Sequence, residues 1–143
     1  MPIKIGRFQG EYRFLSNFWP ARVNYGGIDF PTVEHAYQAA KTDDQKARLE
    51  IAKARTPGVA KRLGKRVTMR HNWDSIKLKV MSVLVTQKFT SNPLLKKLLL
   101  DTGDAELIEG NDWNDTFWGI CRGKGSNHLG KILMSVRESL RLV

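Results

Sequence analysis

Phe30-Pro31-Thr32-Val33-Glu34-His35-Ala36-Tyr37-Gln38-Ala39-Ala40-Lys41 is the stretch whose reading decides the fold. Pro31 ends the strand-like run before it, and the Thr32 hydroxyl can cap the first free amides, so a helix opens here. At about 100° per residue, Glu34, Gln38 and Lys41 fall at roughly 0°, 40° and −20°, one narrow polar stripe. Val33, Tyr37 and Ala40 lie on a different face and can pack, while Ala39-Ala40 lets another element come close. A carboxylate, an amide and an ammonium in one row make either a wet surface or the floor of a polar pocket. Spacing alone favours the wet surface. The reasons to prefer a pocket lie elsewhere in the chain.

Working outward, Arg22 to Tyr25 and Ile28 to Phe30 flank Gly26-Gly27 and predict a hairpin. Before it, Phe14-Leu15-Ser16-Asn17-Phe18-Trp19-Pro20 is aromatic but interrupted by a polar pair. That suits a loop presenting the Asn17 amide beside ring faces, although a turn with buried aromatics has the same composition. On the other side, Asp43 to Arg55 reads as a charged helical run. Thr56 and Pro57 then start a short helix that Gly64 ends. Trp73 opens a long amphipathic helix to about Thr90, with Ile76, Val80, Met81, Leu84 and Phe89 on its apolar face. Asn92-Pro93 restarts a helix whose Leu94, Leu95, Leu98, Leu99 and Leu100 are core material, and Glu106 to Glu109 is a short strand. Leu129, Ile132, Leu133, Val136 and Leu140 give the last helix its stripe. The expected class is α+β, a mostly helical single domain over residues 1–143 with a small antiparallel sheet. Strands do not alternate with helices, which disfavours a parallel doubly wound fold.

Composition fits one soluble domain of 143 residues with no apolar run near the roughly 20 residues that span a bilayer. Met1-Pro2-Ile3-Lys4-Ile5-Gly6-Arg7 lacks the apolar core of a signal peptide, and Cys121 has no second cysteine to pair with, so cytoplasm is the expectation. The formal charge is +10, and twelve Lys/Arg against four acids between Lys41 and Lys79 carry +8 of it. So local an excess favours an anionic partner, nucleic acid or a phosphorylated metabolite, over a merely solvated helix face.

A second informative region is Asn111 to Asn127. Gly123 and Gly125 permit positive φ, and Ser126 or Asn127 can cap the final helix. With Arg122 and Lys124 beside that helix N-terminus, the loop can cradle phosphate, or it can be a tight turn before a capped helix. Asp112 and Asp115 stand among Trp113, Phe117 and Trp118. Aromatic faces stack on bases, and a carboxylate can accept ribose hydroxyls or steady positive charge at an anomeric carbon. Three histidines without paired ligand spacing, and one cysteine, make no zinc motif.

Taken in order, Phe14-Leu15-Ser16-Asn17-Phe18, Pro31 to Lys41, Trp73, Asp112, Trp118-Gly119 and Gly123-Lys124-Gly125-Ser126-Asn127-His128-Leu129-Gly130 closely resemble the NADAR family, also called YbiA-like. The resemblance covers nearly the whole chain. It implies a compact, mainly helical domain that cleaves N-glycosidic bonds to ribose with no metal or cofactor. The family's substrates imply two alternatives: ADP-ribose on guanine in nucleic acid, or ribosylamino-pyrimidine phosphates of riboflavin biosynthesis. Such cleavage passes through an oxocarbenium-like state, which a nearby carboxylate stabilises. On this resemblance Glu34 is the first catalytic residue and Asp112 the second carboxylate. Lys41 would bind phosphate or, with its pKa lowered by burial, attack the opened sugar as a Schiff-base nucleophile. Gln38 and Asn17 would hold ribose hydroxyls or the base edge. Trp73 and Trp118, with Gly119, would wall the base or sugar, and Arg122, Gly123, Lys124, Gly125 and Asn127 would hold phosphate. The basic block tilts the choice toward ADP-ribosylated guanine. A non-catalytic ADP-ribose or nucleic-acid binding module is the alternative of another class, but it would need neither Glu34 nor Lys41.

Overall fold

A computed structural model describes residues 3–142, so Met1 and Pro2 of the N-terminal stretch read above lie outside the described residues. The chain forms two compact units, one continuous from Asn17 to Lys88 and one assembled from the segments on either side of it.

In the continuous unit, β2 (Val23–Tyr25) and β3 (Ile28–Phe30) pair antiparallel, with Val23 opposite Phe30 and Tyr25 opposite Ile28. Gly26 and Gly27 take φ of 59° and 82°, the left-handed turn that closes a two-residue hairpin without splaying its strands. Helix α1 (Val33–Ala40) follows, its Thr32 side chain accepting the His35 amide as expected of an N-cap. All eight of its residues are buried. Ala36, Ala39 and Ala40 keep its flanks thin where the next two helices pack against it. Those are α2 (Gln45–Ala52), capped by Asp44, and α3 (Pro57–Gly64), capped by Thr56 with Pro57 in its first turn. Asp43 stays outside α2 and faces Arg48 and Arg70 at 3.9 and 3.6 Å. Helix α4 begins at Trp73 and runs to Thr90.

In the other unit, β1 (Lys4–Ile5) lies parallel to β4 (Glu106–Leu107), and β5 (Gly110–Asn111) lies parallel to β6 (Ile120–Cys121). The antiparallel pairing expected from sequence is therefore joined by two parallel two-residue ladders, each too short to leave a periodic signal. A 3-10 helix covers Gly10–Leu15, and Phe14 meets Phe89 edge-on with centroids 6.5 Å apart. Helix α5 (Pro93–Asp101) packs against α6 (His128–Arg141). The expectation that all five α5 leucines are core needs correction: Leu95 and Leu99 are buried, whereas Leu94 is 65% exposed. Five leucines within seven positions of a helix cannot share one face, and the i, i+4 pair takes the core. Among the described residues no helix is long and apolar enough to cross a membrane.

Candidate active site

The polar stripe of α1 is interior. Glu34 is 8% exposed and Gln38 3%, so the wet-surface alternative gives way to a buried carboxylate and amide. Their positions follow from helix geometry: residues four apart stack on one face, and Gln38 Nε2 donates to Glu34 Oε2 at 2.6 Å. A buried carboxylate is costly unless it is hydrogen-bonded, and this charge-assisted bond offsets part of that cost. The Asn17 carbonyl accepts the Glu34 amide at 3.1 Å, satisfying one of the free donors of the helix N-terminus, while Asn17 Nδ2 lies 3.5 Å from Met81 Sδ. Asn17 is thus tied through its carbonyl to the first turn of α1, with its side chain half-buried against Met81.

Lys41 sits at the C-cap of α1, where its carbonyl accepts the Arg70 amide at 2.7 Å. Its Nζ stands 5.7 Å from the centre of the Tyr37 ring. Burial, the largest effect, holds its pKa below the ordinary lysine value. Glu34 opposes that shift, and Lys61, Lys65 and Lys77 add to it. Charge from α3, the connector after it and α4 therefore acts on the same ammonium, which eases release of its proton. Trp73 was expected to wall the substrate, but it is only 4% exposed and its ring leans on Tyr37 at 5.1 Å.

His35, the residue after Glu34 in α1 and 1% exposed, was not singled out from sequence. Its Nε2–H donates to the Ala54 carbonyl at 3.0 Å, leaving Nδ1 to accept from the Thr32 hydroxyl at 2.7 Å. Burial holds this imidazole below its usual pKa, offset in part by the bond to Ala54. The neutral ring locks the start of α1 to the segment just after α2. The Thr32 cap was legible, but its second bond to His35 depends on chain 19 residues further on.

The remaining expected residues belong to the other unit, and several have structural work there. Asp112 was expected to be a second catalytic carboxylate. Its side chain is exposed and gripped by Arg7, with contacts of 2.9 and 3.1 Å that hold its pKa low. A carboxyl so held is a poor proton carrier. Asn127 was expected to cap α6 or hold phosphate, yet it makes no side-chain cap bond. At φ 53° its Oδ1 accepts the Glu109 amide at 3.0 Å and its Nδ2 donates to the Leu107 carbonyl at 2.9 Å. The amides of Asn127, His128 and Leu129 donate to the carbonyls of Gly119, Phe117 and Trp118, so the start of α6 is closed by its own loop. What that loop offers an anion is side-chain charge: Arg122, which also bonds Asn114 Oδ1 at 2.8 Å, and exposed Lys124. Gly123 and Gly125 take the expected positive φ. Gly119 is fixed by crowding, since a Cβ there would lie 2.0 Å from the Glu109 carbonyl oxygen. Trp118 is half-buried and meets Phe117 edge-on at 4.8 Å, and Phe117 in turn packs on His128.

Asn111 organises this loop and escaped the sequence reading. Only 2% exposed, it donates to the Asp115 carbonyl and accepts the amides of Trp113 and Asp115. Asp115 in turn accepts from Phe117 and Trp118. The Asn-Asp-Trp-Asn-Asp run is a sequence signal for such turns, because short polar side chains fold back onto their own backbone.

A family model described as the NADAR domain matches residues 6–141. The N-glycosidase YbiA of Escherichia coli (strain K12) is 42% identical over 137 residues, covering 92% of this chain and 84% of that protein. A riboflavin biosynthesis protein of Vibrio vulnificus is 41% identical over 134 residues, which are 92% of this chain and 36% of that longer protein. The NMR structure of E. coli YbiA matches with a TM-score of 0.86 at 38% identity, covering 99% of this chain and 88% of that one. With the match running through nearly all of its length, the chain belongs to the NADAR family, whose named N-glycosidases are hydrolases of N-glycosidic bonds.

Proposed function

We propose that this chain, acting as one domain, hydrolyses the C1′–N bond of a phosphate-bearing ribosylated base, with Glu34 and Lys41 at the reacting carbon. The observation that carries the reading is a buried, hydrogen-bonded carboxylate on the same helical stripe as a lysine whose pKa burial lowers. As the C1′–N bond lengthens, positive charge grows on C1′, and the Glu34 carboxylate stabilises it. Water then adds to C1′. One of its protons ends on the departing base nitrogen, and Glu34 is the group able to relay it. Lys41, in its neutral form, is equipped instead to attack C1′ of the ring-opened sugar and expel the base, whose nitrogen leaves with the proton given up by the lysine amine. Water hydrolyses the Schiff base so formed, which frees the sugar and restores the amine. Asn17, bound through its carbonyl to the Glu34 amide, would hold ribose hydroxyls with its side-chain amide.

The substrate proposed first is ADP-ribose on guanine in nucleic acid. Lys61, Lys65 and Lys77, all acting on Lys41, supply more cationic charge than one phosphate monoester requires. The second reading is a ribosylamino-pyrimidine phosphate, favoured by the naming of the Vibrio relative as a riboflavin biosynthesis protein. Both substrates would be offered side by side and products followed by mass spectrometry, with Glu34→Gln and Lys41→Ala as controls. Recovery of unmodified guanine, lost in Glu34→Gln, supports the first reading. Release of ribose phosphate from the small substrate alone replaces it with the second. Tight ADP-ribose binding without turnover of either would overturn the enzyme reading in favour of a binding module.

A further inference from the structure

We infer that Gly64 is a positioning residue for the reaction: it seats the Gln38 amide against Glu34 and so fixes where that carboxylate points. The inference rests on the proposed role of Glu34. It gives Gln38 a different task from the substrate contact expected from sequence, because Gln38 is 3% exposed and its amide nitrogen is already committed to Glu34 at 2.6 Å.

Gly64 is the last residue of α3, which packs against α1. A Cβ at position 64 would lie 1.9 Å from Gln38 Oε1, 2.8 Å from its Cδ and 3.0 Å from its Cβ. The three nearest atoms all belong to this one side chain. Gln38 Oε1 is buried and has no hydrogen-bond partner among the described residues. An amide free to choose would turn that oxygen toward a donor, since a buried unpaired acceptor is costly. Here the bare Cα of Gly64 leaves room for the oxygen, and the opposite end of the amide is thereby presented to Glu34. Position 64 is helical and its backbone does not lie in the left-handed region, so alanine would serve the helix better. The glycine is explained by the space it leaves for Gln38.

The test compares the parent with Gly64→Ala, Gln38→Ala, the double variant and Glu34→Gln, on whichever substrate the product assay identifies. Gly64→Ala is expected to fold with a lower Tm, because the methyl displaces a buried amide whose bond to Glu34 offsets the cost of burying that carboxylate. It should lose about 100-fold in kcat, with KM within about threefold, as expected when a group acting in the transition state is misplaced by an ångström. In the Gln38→Ala background the same methyl should cost nothing further, since the group it displaces is gone. A readout free of substrate is exchange of the Gln38 side-chain amide protons by NMR, slow in the parent and fast in Gly64→Ala. Should Gly64→Ala fail to fold, a folded double variant with the kinetics of Gln38→Ala supports the seat, and an unfolded double variant overturns it. Parent-like turnover and exchange in Gly64→Ala, or losses that multiply in the double variant, also overturn it. Full activity of Glu34→Gln would instead sink the catalytic assignment of Glu34, leaving the NMR result to decide the seat separately.

Discussion

Replacing Asn127 separates a structural staple from a phosphate ligand. Its side chain is 6% exposed and satisfies two backbone groups at once, the Glu109 amide at 3.0 Å and the Leu107 carbonyl at 2.9 Å. Alanine removes both bonds in a region with little access to water, at about 1–3 kcal/mol each. Alanine also tolerates φ 53° less well than asparagine, whose short polar side chain suits the left-handed region, which adds at most about 1 kcal/mol. The expected loss for Asn127→Ala is therefore about 3–5 kcal/mol, allowing for some water entry. Asn127→Gly loses the same bonds without the backbone cost and should be about 1 kcal/mol more stable than alanine. Urea unfolding followed by circular dichroism measures both, with an unchanged m-value as the check that only stability has moved. Substrate affinity, measured where each variant is folded, should stay within about twofold of the parent. An alanine variant that loses less than about 1 kcal/mol, or that binds substrate weakly with stability intact, would refute the staple and return Asn127 to the phosphate site.

Two further outcomes follow from the geometry. His35 is held below its ordinary pKa by burial, so the unfolded chain gains a proton near pH 6.5 before the folded one does. Stability is then complete above about pH 6.5 and falls on acidification by at most about 1.4 kcal/mol per pH unit until the folded imidazole protonates. His35→Gln should flatten that slope between pH 7.5 and 5 in urea titrations, and parallel curves for the two proteins would contradict it. Asp112→Asn should leave turnover within about threefold of the parent, because an exposed carboxylate engaged by Arg7 is a surface ion pair. A loss of a hundredfold or more in that variant would restore it as a catalytic group.

What the sequence disclosed depended on how local the cause was. Thr32, Thr56 and Asn92 act on amides within three residues, and the helices they cap begin where expected. Gly26-Gly27 closed a hairpin for an equally local reason. The stripe of Glu34, Gln38 and Lys41 was legible as a stripe, but whether it faced water depended on what packed over it. That was settled in part by a glycine 26 positions beyond Gln38, which from sequence was read only as a helix stop. Arg7 claims Asp112 across 105 residues, and no spacing rule reaches so far. Asn127 misled for another reason: its composition suits a cap, while its left-handed backbone turns the side chain away from the helix it precedes.

The pairing of Lys4 with Glu106 and Ile5 with Leu107 carries a consequence for how the chain is made. Synthesis delivers Asn17 to Lys88 as an unbroken length, while β1 must wait for about a hundred further residues before its partner leaves the ribosome. At the roughly 5–20 residues per second typical of translation, that interval lasts several seconds, far longer than helix formation takes. The residues around Glu34 therefore have time to take up their helices before the first strand can be matched. Closing so long a loop for a two-residue ladder brings little return, so β1 is expected to join late and to be the first element lost when the protein opens.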